Sequence, residues 1–257
     1  MPECPELRII ADQLQKLVGT HLNKITILDK KFNAPLHYGQ VKSITAIGKK
    51  LIINVDRGYY MIRLGMTGRF CFSPCEYVRF EMQFDDYILY YDDVRKLGSL
   101  TYFDTKDDLL QFLSKFGMVI LNNNNEIKMF HLTKLNKPDF DQAVQKYNNR
   151  QLSAFLMDDT IFDGIGNYLK SEIAFHAGLD VRAKLNSFSS DDLDRLYDSI
   201  SYITKSAYSL GGLTLSDFKD TNGQDGRYVP LIYGRKTVQG KTVQRTKTAD
   251  GRVSHHL

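Results

Sequence analysis

The residues best suited to chemistry stand at the start of the chain, Met1-Pro2-Glu3-Cys4-Pro5-Glu6. An initiator methionine before a small residue such as Pro2 is normally removed, which would leave Pro2 with a free secondary amine. An α-amino group titrates near ~7.7–8.0, so a useful fraction is an uncharged nucleophile at neutral pH. A secondary amine that attacks an aldehyde-like carbon gives an iminium, an electron sink for elimination. Glu3 follows at once and could serve as general acid or base. Pro5 suits the first turn of a helix and Glu6 its positive end. The same six residues also read as an ordinary helix start, so their weight depends on what the rest of the chain brings to them.

Three further stretches carry candidate chemistry. Asp163-Gly164-Ile165-Gly166-Asn167-Tyr168-Leu169-Lys170-Ser171-Glu172 lies between helical segments. Its glycines allow close backbone approach, and the amides opening the next helix, with Asn167 beside them, make a site for a backbone phosphate. It reads equally well as plain helix–turn–helix packing. Gly48-Lys49-Lys50 precedes a strand, and Leu64-Gly65-Met66-Thr67-Gly68 places Met66 at a turn between glycines. An exposed Met there acts as a wedge in a base stack; a buried one fills core. Tyr91-Asp92-Asp93-Val94-Arg95-Lys96-Leu97-Gly98 is a loop with two cations and one apolar tip, and by itself reads as a solvated turn.

The elements that must position these residues follow from periodicity. Apolar positions Leu7, Ile10, Ala11, Leu14, Leu17 and Val18 predict a helix over 6–18, closed by Gly19. From 21 to 104 the chain turns β-branched, aromatic and alternating, which predicts strands at 25–28, 51–55, 59–64, 79–84, 87–91 and 100–103. Asp85-Asp86 joins two of them as a hairpin turn. Helices are predicted at 105–117, 139–148, 151–158, 166–177 and 190–210, a polar loop at 213–230, and a terminal hairpin turning at Asp250-Gly251 between 242–248 and 252–256. The fold class is α+β: an N-terminal antiparallel β-sandwich domain with flanking helices over 1–120, a linker at 121–137, a helical domain at 138–227 and a β-hairpin at 228–257.

Charge and composition narrow the partner. From Arg227 onward the chain has seven basic residues and one acidic, a net +6 against +4 for the whole of its 257 residues. A basic arm on a near-neutral body points to a polyanion, most simply nucleic acid. Three cysteines (Cys4, Cys71 and Cys75), with no charged-then-apolar leader, suggest a reducing, intracellular setting. No apolar run reaches the ~18 residues of a membrane span. Cys71 and Cys75 have no second pair to complete a zinc site.

In order, Met-Pro-Glu-x-Pro-Glu, Gly-Lys before a strand, Leu-Gly-Met-Thr-Gly, Asp-x-Arg-Lys-x-Gly, Gly-Ile-Gly-Asn-Tyr and Gly-Arg-x-Ser-His run through essentially the whole chain. Each motif is weak alone, but the ordered set resembles the formamidopyrimidine-DNA glycosylase/endonuclease VIII family. The resemblance implies that Pro2 attacks C1′ of a damaged nucleotide. Glu3 would assist ring opening and proton transfer, and Glu6 would position water or the sugar. Lys49 would contact the phosphate next to the lesion. The Schiff base then permits β- and δ-elimination, with no metal and no diffusible cofactor. The family flips the damaged base out, and the residues that fill the gap match Met66, Arg95 and Leu97. The Gly-Ile-Gly-Asn-Tyr match implies a helix–two-turn–helix element with Asn167 on a phosphate; Lys170 could add charge there.

The sequence also departs from the family. Leu97 stands where bacterial relatives usually have Phe, Val94 for a usual Pro, and Arg63 for a usual His. Most bacterial relatives end in a four-cysteine zinc finger, whereas here no cysteine follows Cys75. The end of the chain looks like the zincless finger of some eukaryotic and viral relatives, with Arg252 matching the arginine that grips phosphates. His255 and His256 are adjacent on a strand and point to opposite faces, so they are a poor metal pair.

The expected partner is double-stranded DNA carrying an oxidised base or abasic site, met by a monomer with no membrane contact. The expected activity is a bifunctional glycosylase and abasic-site lyase. A loop from about Ser216 to Tyr228, shorter than in bacterial relatives, leans the substrate toward formamidopyrimidines, hydantoins and oxidised pyrimidines over 8-oxoguanine. Two other classes compete: a DNA-damage binding protein of the same fold without chemistry, and a metal-dependent nuclease using Asp85/Asp86 and Asp92/Asp93.

Overall fold

The computed structural model describes residues 2–122, 124–214 and 218–257. Helix α1 (Cys4–Gln13) opens with Glu3 as its cap, and Glu3 and Glu6 form a capping box with Pro5 in the first turn. A 3-10 turn, Leu14–Leu17, finishes it, so the predicted helix over 6–18 starts earlier and tightens at its end.

Eight strands follow: β1 (His21–Ile27), β2 (Gly39–Ile47), β3 (Lys50–Val55), β4 (Gly58–Arg63), β5 (Arg69–Cys71), β6 (Val78–Phe84), β7 (Ile88–Asp92) and β8 (Ser99–Phe103). Their order is β5-β7-β6-β1-β2-β3-β4-β8, every neighbouring pair antiparallel. β1 and β2 join the two four-stranded halves through only two pairs, His21↔Gln40 and Leu22↔Gly39. The sandwich is therefore one sheet folded on itself. Its inner faces share a core with α1 that includes Leu7, Leu14, Leu22, Ile53, Ile62, Phe80 and Tyr91. The outer face of the β2–β3–β4–β8 half packs Ile47, Ile52 and Met61 against α2 (Lys106–Leu113) and the chain beyond it. Strand β2, absent from the predicted strands, is bulged between Val41 and Ser43. That bulge breaks the period-two pattern by which a strand is read.

The stretch 121–137, read as a linker, carries the short helix α3 (Asn124–Met129). Glu126 of α3 receives Arg8 of α1 at 2.6 Å and Thr45 Oγ1 of β2 at 2.5 Å, which fastens the segment to the N-terminal core. Parallel two-residue strands β9 (Met118–Val119) and β10 (Phe162–Asp163) pair beyond it.

The second half is helical: α4 (Lys137–Lys146), α5 (Leu152–Leu156), α6 (Asn167–His176) and α7 (Ser190–Ser209). Ser189 and Asp192 make a capping box for α7. The helices enclose a core of Phe140, Phe155, Phe162, Leu169, Ile173 and Leu196, among others. Two short pairs end the chain, β11 (Thr237–Val238) with β12 (Lys241–Thr242), and β13 (Gln244–Lys247) with β14 (Val253–His256). The second is the predicted hairpin, turning at Asp250-Gly251.

Helix α6 is the beam shared by all of these parts. At its middle the buried Glu172 accepts from Tyr228 Oη and from the amides of Leu231, Ile232 and Tyr233 at 2.6–2.9 Å. This one carboxylate fixes where the basic C-terminal arm leaves the helical layer.

Candidate active site

Pro2, Lys49, Met66, Arg95, Leu97 and Arg252 line one cleft of about 600 Å³. They come from opposite ends of the sequence and from both layers. The cleft also exposes Arg63 and borders Lys50, so its walls carry five cations. Among the described lining residues Asp159 is the one carboxylate.

Next to Pro2 in the chain, Glu3 is 1% exposed. Its Oε2 accepts the Gly166 amide at 2.6 Å and the Leu169 amide at 3.2 Å, and its Oε1 accepts the Tyr168 amide at 2.9 Å. These are orphan donors at the N-terminus of α6, where the helix dipole is positive. Gly166 is required there, because a Cβ on it would stand 2.3 Å from the Glu3 carboxyl carbon. The Gly-Ile-Gly turn thus seats a carboxylate of the protein itself.

Glu6 lies deeper, fully buried. Its Oε2 accepts the Glu3 amide at 2.9 Å, while Oε1 accepts Tyr168 Oη at 2.9 Å and the Leu213 amide at 3.1 Å. Burial pushes the Glu6 carboxyl above the usual carboxylate range. Glu3 is pushed up to about 8 by burial and by Glu6, against Lys49 and the amides of Tyr168 and Gly166, which pull it down. Burial and Glu6 thus favour the protonated carboxyl while Lys49 and the amides favour the carboxylate, which makes Glu3 a candidate for proton transfer.

Lys49 and Lys50 both reach the turn before α6, with different exposure. Lys49 Nζ is partly exposed in the cleft, donating to Ile165 O at 3.0 Å and pairing with Asp159 at 2.8 Å. Lys50 is buried, pairs with Asp163 at 2.7 Å and lies 3.6 Å over the Phe116 ring. Burial pulls the Lys50 ammonium down, opposed by Asp163. Lys49 is the lysine left facing a ligand.

The two loops at the rim are folded onto each other. Gly65 has φ +67°, and a Cβ there would lie 2.6 Å from the Leu97 backbone. Asp93, fully buried, accepts Thr67 Oγ1 at 2.6 Å and the Gly98 amide at 2.8 Å. Asp92 accepts the Tyr77 amide at 2.6 Å and Arg69 Nε at 2.9 Å. The loop 91–98 is thus not a solvated turn: its aspartates face inward and hold its shape, which leaves the paired-aspartate nuclease without a free metal-binding pair at Asp92/Asp93. Val94 and Leu97 stay exposed at 48% and 45%, with Arg95 also exposed and its guanidinium 3.6 Å from Met66 Sδ.

Two predicted DNA contacts sit elsewhere. Asn167 donates to Val253 O at 3.1 Å, close to Arg252, and its own side-chain oxygen is buried without a partner. Lys170 is a correction: its side chain is 0% exposed and paired with Asp250 at 2.7 Å, so it cannot meet a phosphate. Ser216, where the predicted lesion-covering loop begins, lies outside the described residues. The loop's later part is docked, with Gln13 of α1 bonded to Asp220 at 2.7 Å and to Thr221 at 2.9–3.0 Å.

Asp159, which no motif included, and Asp163, which opens the Gly-Ile-Gly stretch but was given no role, are the ion-pair partners of Lys49 and Lys50. Asp163 was legible in principle as a charge set between Ile161-Phe162 and Gly164, and Lys50 as a charge ahead of Leu51–Ile53. Buried charges demand partners, and these two find each other.

Among known proteins, the family model for the Formamidopyrimidine-DNA glycosylase N-terminal domain matches residues 1–100. The Formamidopyrimidine-DNA glycosylase of Legionella pneumophila is 26% identical over 255 residues, covering 93% of this chain and 89% of the relative. That of Prochlorococcus marinus is 26% identical, covering 99% and 98%. The MutM (Fpg) crystal structure from Thermus thermophilus superposes with TM-score 0.86 at 25% identity, covering 100% of this chain and 97% of that one. Wild-type Lactococcus lactis Fpg with DNA containing N7-benzyl-Fapy-dG shares the fold, with TM-score 0.83 at 23% identity over 100% and 98% of the two chains.

Proposed function

The chain belongs to the formamidopyrimidine-DNA glycosylase/endonuclease VIII family, and from that premise we propose that it is a base-excision-repair enzyme with both glycosylase and abasic-site lyase activity. The observation that carries this reading is that Pro2 lines a cation-walled cleft while the next residue, Glu3, is buried with its carboxyl seated on the amides that open α6. A free Pro2 amine attacks C1′ of the damaged nucleotide as the N-glycosidic bond breaks, and Glu3 gives the proton that opens the sugar ring. The resulting iminium draws electrons from C2′–H, so the 3′ phosphate leaves by β-elimination and the 5′ phosphate by δ-elimination.

Met66, Arg95 and Leu97 fill the space left by the flipped nucleotide. Lys49 and Arg252 hold phosphates on either side of the lesion, and Asn167 holds the backbone beside them. The β13–β14 hairpin acts as a zincless finger. Leu97 is smaller than Phe and stacks less, so the opposite-base preference of bacterial relatives is not carried over to this chain. The substrates are formamidopyrimidines, hydantoins and oxidised pyrimidines ahead of 8-oxoguanine.

The test is strand incision on end-labelled duplexes carrying these lesions, with EDTA present. Protein beginning at Pro2 should cut, and protein with any residue retained before Pro2 should bind without cutting. Equal incision by both forms, with termini checked by mass, would remove Pro2 from the mechanism. Binding without incision by either form would favour the non-catalytic damage binder.

A further inference from the structure

We infer that Lys170 and Asp250 are positioning residues for Arg252, a buried ion pair that aims the finger at the cleft. The inference rests on the reading of Arg252 as a phosphate contact. Three residues on one face of α6, at spacing i, i+3 and i+4, grip the hairpin on both sides of Arg252. Asn167 donates to Val253 O at 3.1 Å, Lys170 Nζ pairs with Asp250 at 2.7 Å, and Ser171 Oγ accepts the His255 amide at 3.3 Å. Asp250 sits two residues before Arg252 and Val253 one after it, so the backbone bearing Arg252 is held from both ends.

The ion pair is the strongest of these grips. Lys170 is 0% and Asp250 4% exposed at the side chain, which leaves little water to screen them. Asp250 is braced a second time by Thr248 Oγ1 at 2.5 Å, and that hydroxyl also meets Ser254 Oγ at 2.6 Å. The Gln151 side chain accepts the Ala249 amide at 2.7 Å from the other side of the turn. A hairpin of four paired residues per strand is marginal alone; here its tip is nailed to the helix whose N-terminus also seats Glu3. The result is that Arg252 enters the cleft in a fixed relation to Pro2 and Glu3.

The test is a double-mutant cycle on the full chain, read by the affinity for a fluorescent duplex carrying a tetrahydrofuran abasic analogue over a range of salt concentrations. Arg252→Ala should weaken binding on the order of ten-fold and lower the salt slope by about one. Asp250→Ala should do the same, and the double variant should be no weaker than Arg252→Ala alone. Lys170→Arg should bind as wild type, since it restores the pair, while Lys170→Met should not. Asp250 lies in a turn, so its truncation lets water reach Lys170, and this variant carries the test if Lys170→Met melts. The inference is overturned if folded Asp250→Ala keeps wild-type affinity and salt slope, or if its loss multiplies with that of Arg252→Ala. If Arg252→Ala itself binds as wild type, the reading of Arg252 as a phosphate contact fails, and the inference falls with it.

Discussion

Glu3, which adjoins the cleft residue Pro2, and Leu97, which lines the cleft, are built by opposite means. Glu3 is 1% exposed, and its carboxyl takes three backbone amides at a helix start. Leu97 is 45% exposed, and what holds it is the backbone around it: Gly65 against its carbonyl, and Asp93 on the next amide. The floor, the buried carboxylate next to Pro2, fixes side-chain atoms, and the rim fixes a loop while leaving its tips free. Changes at the floor should therefore cost chemistry, and changes at the rim should cost recognition.

The largest expected effect is at the floor. Glu3→Gln keeps the size of the side chain and removes the transferable proton, so base excision should fall by ~10²–10⁴-fold in single-turnover assays while duplex binding is kept. A fall of less than threefold would place the proton elsewhere. The pH dependence has a definite sign. With Glu3 at about 8, excision should be lost as pH rises through that value, and the limb should vanish in Glu3→Gln. The same shift acts on stability: the folded protein keeps a proton that the unfolded chain releases near 4.5, so this contribution is fully present below 4.5 and lost as pH climbs to about 8. Denaturant midpoints of wild type and Glu3→Gln should draw apart toward high pH across that window, because wild type loses stability that the neutral Gln does not; parallel curves would contradict the assignment.

A middle-sized effect is expected where floor meets rim. Asp159 holds Lys49 at 2.8 Å in a cleft otherwise lined by cations. It competes with a phosphate for that lysine, so Asp159→Asn should tighten duplex binding by roughly 3–10-fold, an effect sharpest at low salt. Weaker binding would show that Asp159 orients Lys49 instead. The smallest effect is at the tip. Leu97→Ala should lower affinity for lesion duplexes by about 1 kcal/mol without changing the rate of elimination. A change in that rate with unchanged affinity would erase the distinction between floor and rim.

How much of this was legible in the sequence follows the same divide. Local signals marked Pro2, Glu3 and Met66 as candidates and predicted the terminal hairpin, because a helix start, a Gly-Met-x-Gly turn and an Asp-Gly turn are short-range features; Leu97 was singled out by the family resemblance alone. The roles hidden by distance were missed. Lys170 reads as a free cation in its own segment, and only Asp250, far along the chain, consumes it. Glu126 made a linker into a docked helix for the same reason, through Arg8. Asp92 and Asp93 look like surface acids until Thr67, Tyr77 and Gly98 turn them inward. Strand β2 was lost to its bulge.

The most direct test of the central claim, that Pro2 is the nucleophile, is borohydride trapping on an abasic-site duplex with EDTA present. Protein shown by mass to begin at Pro2 should give a stable covalent adduct whose peptide map places the DNA on Pro2. No adduct from that same protein, on a duplex it binds, would contradict the account.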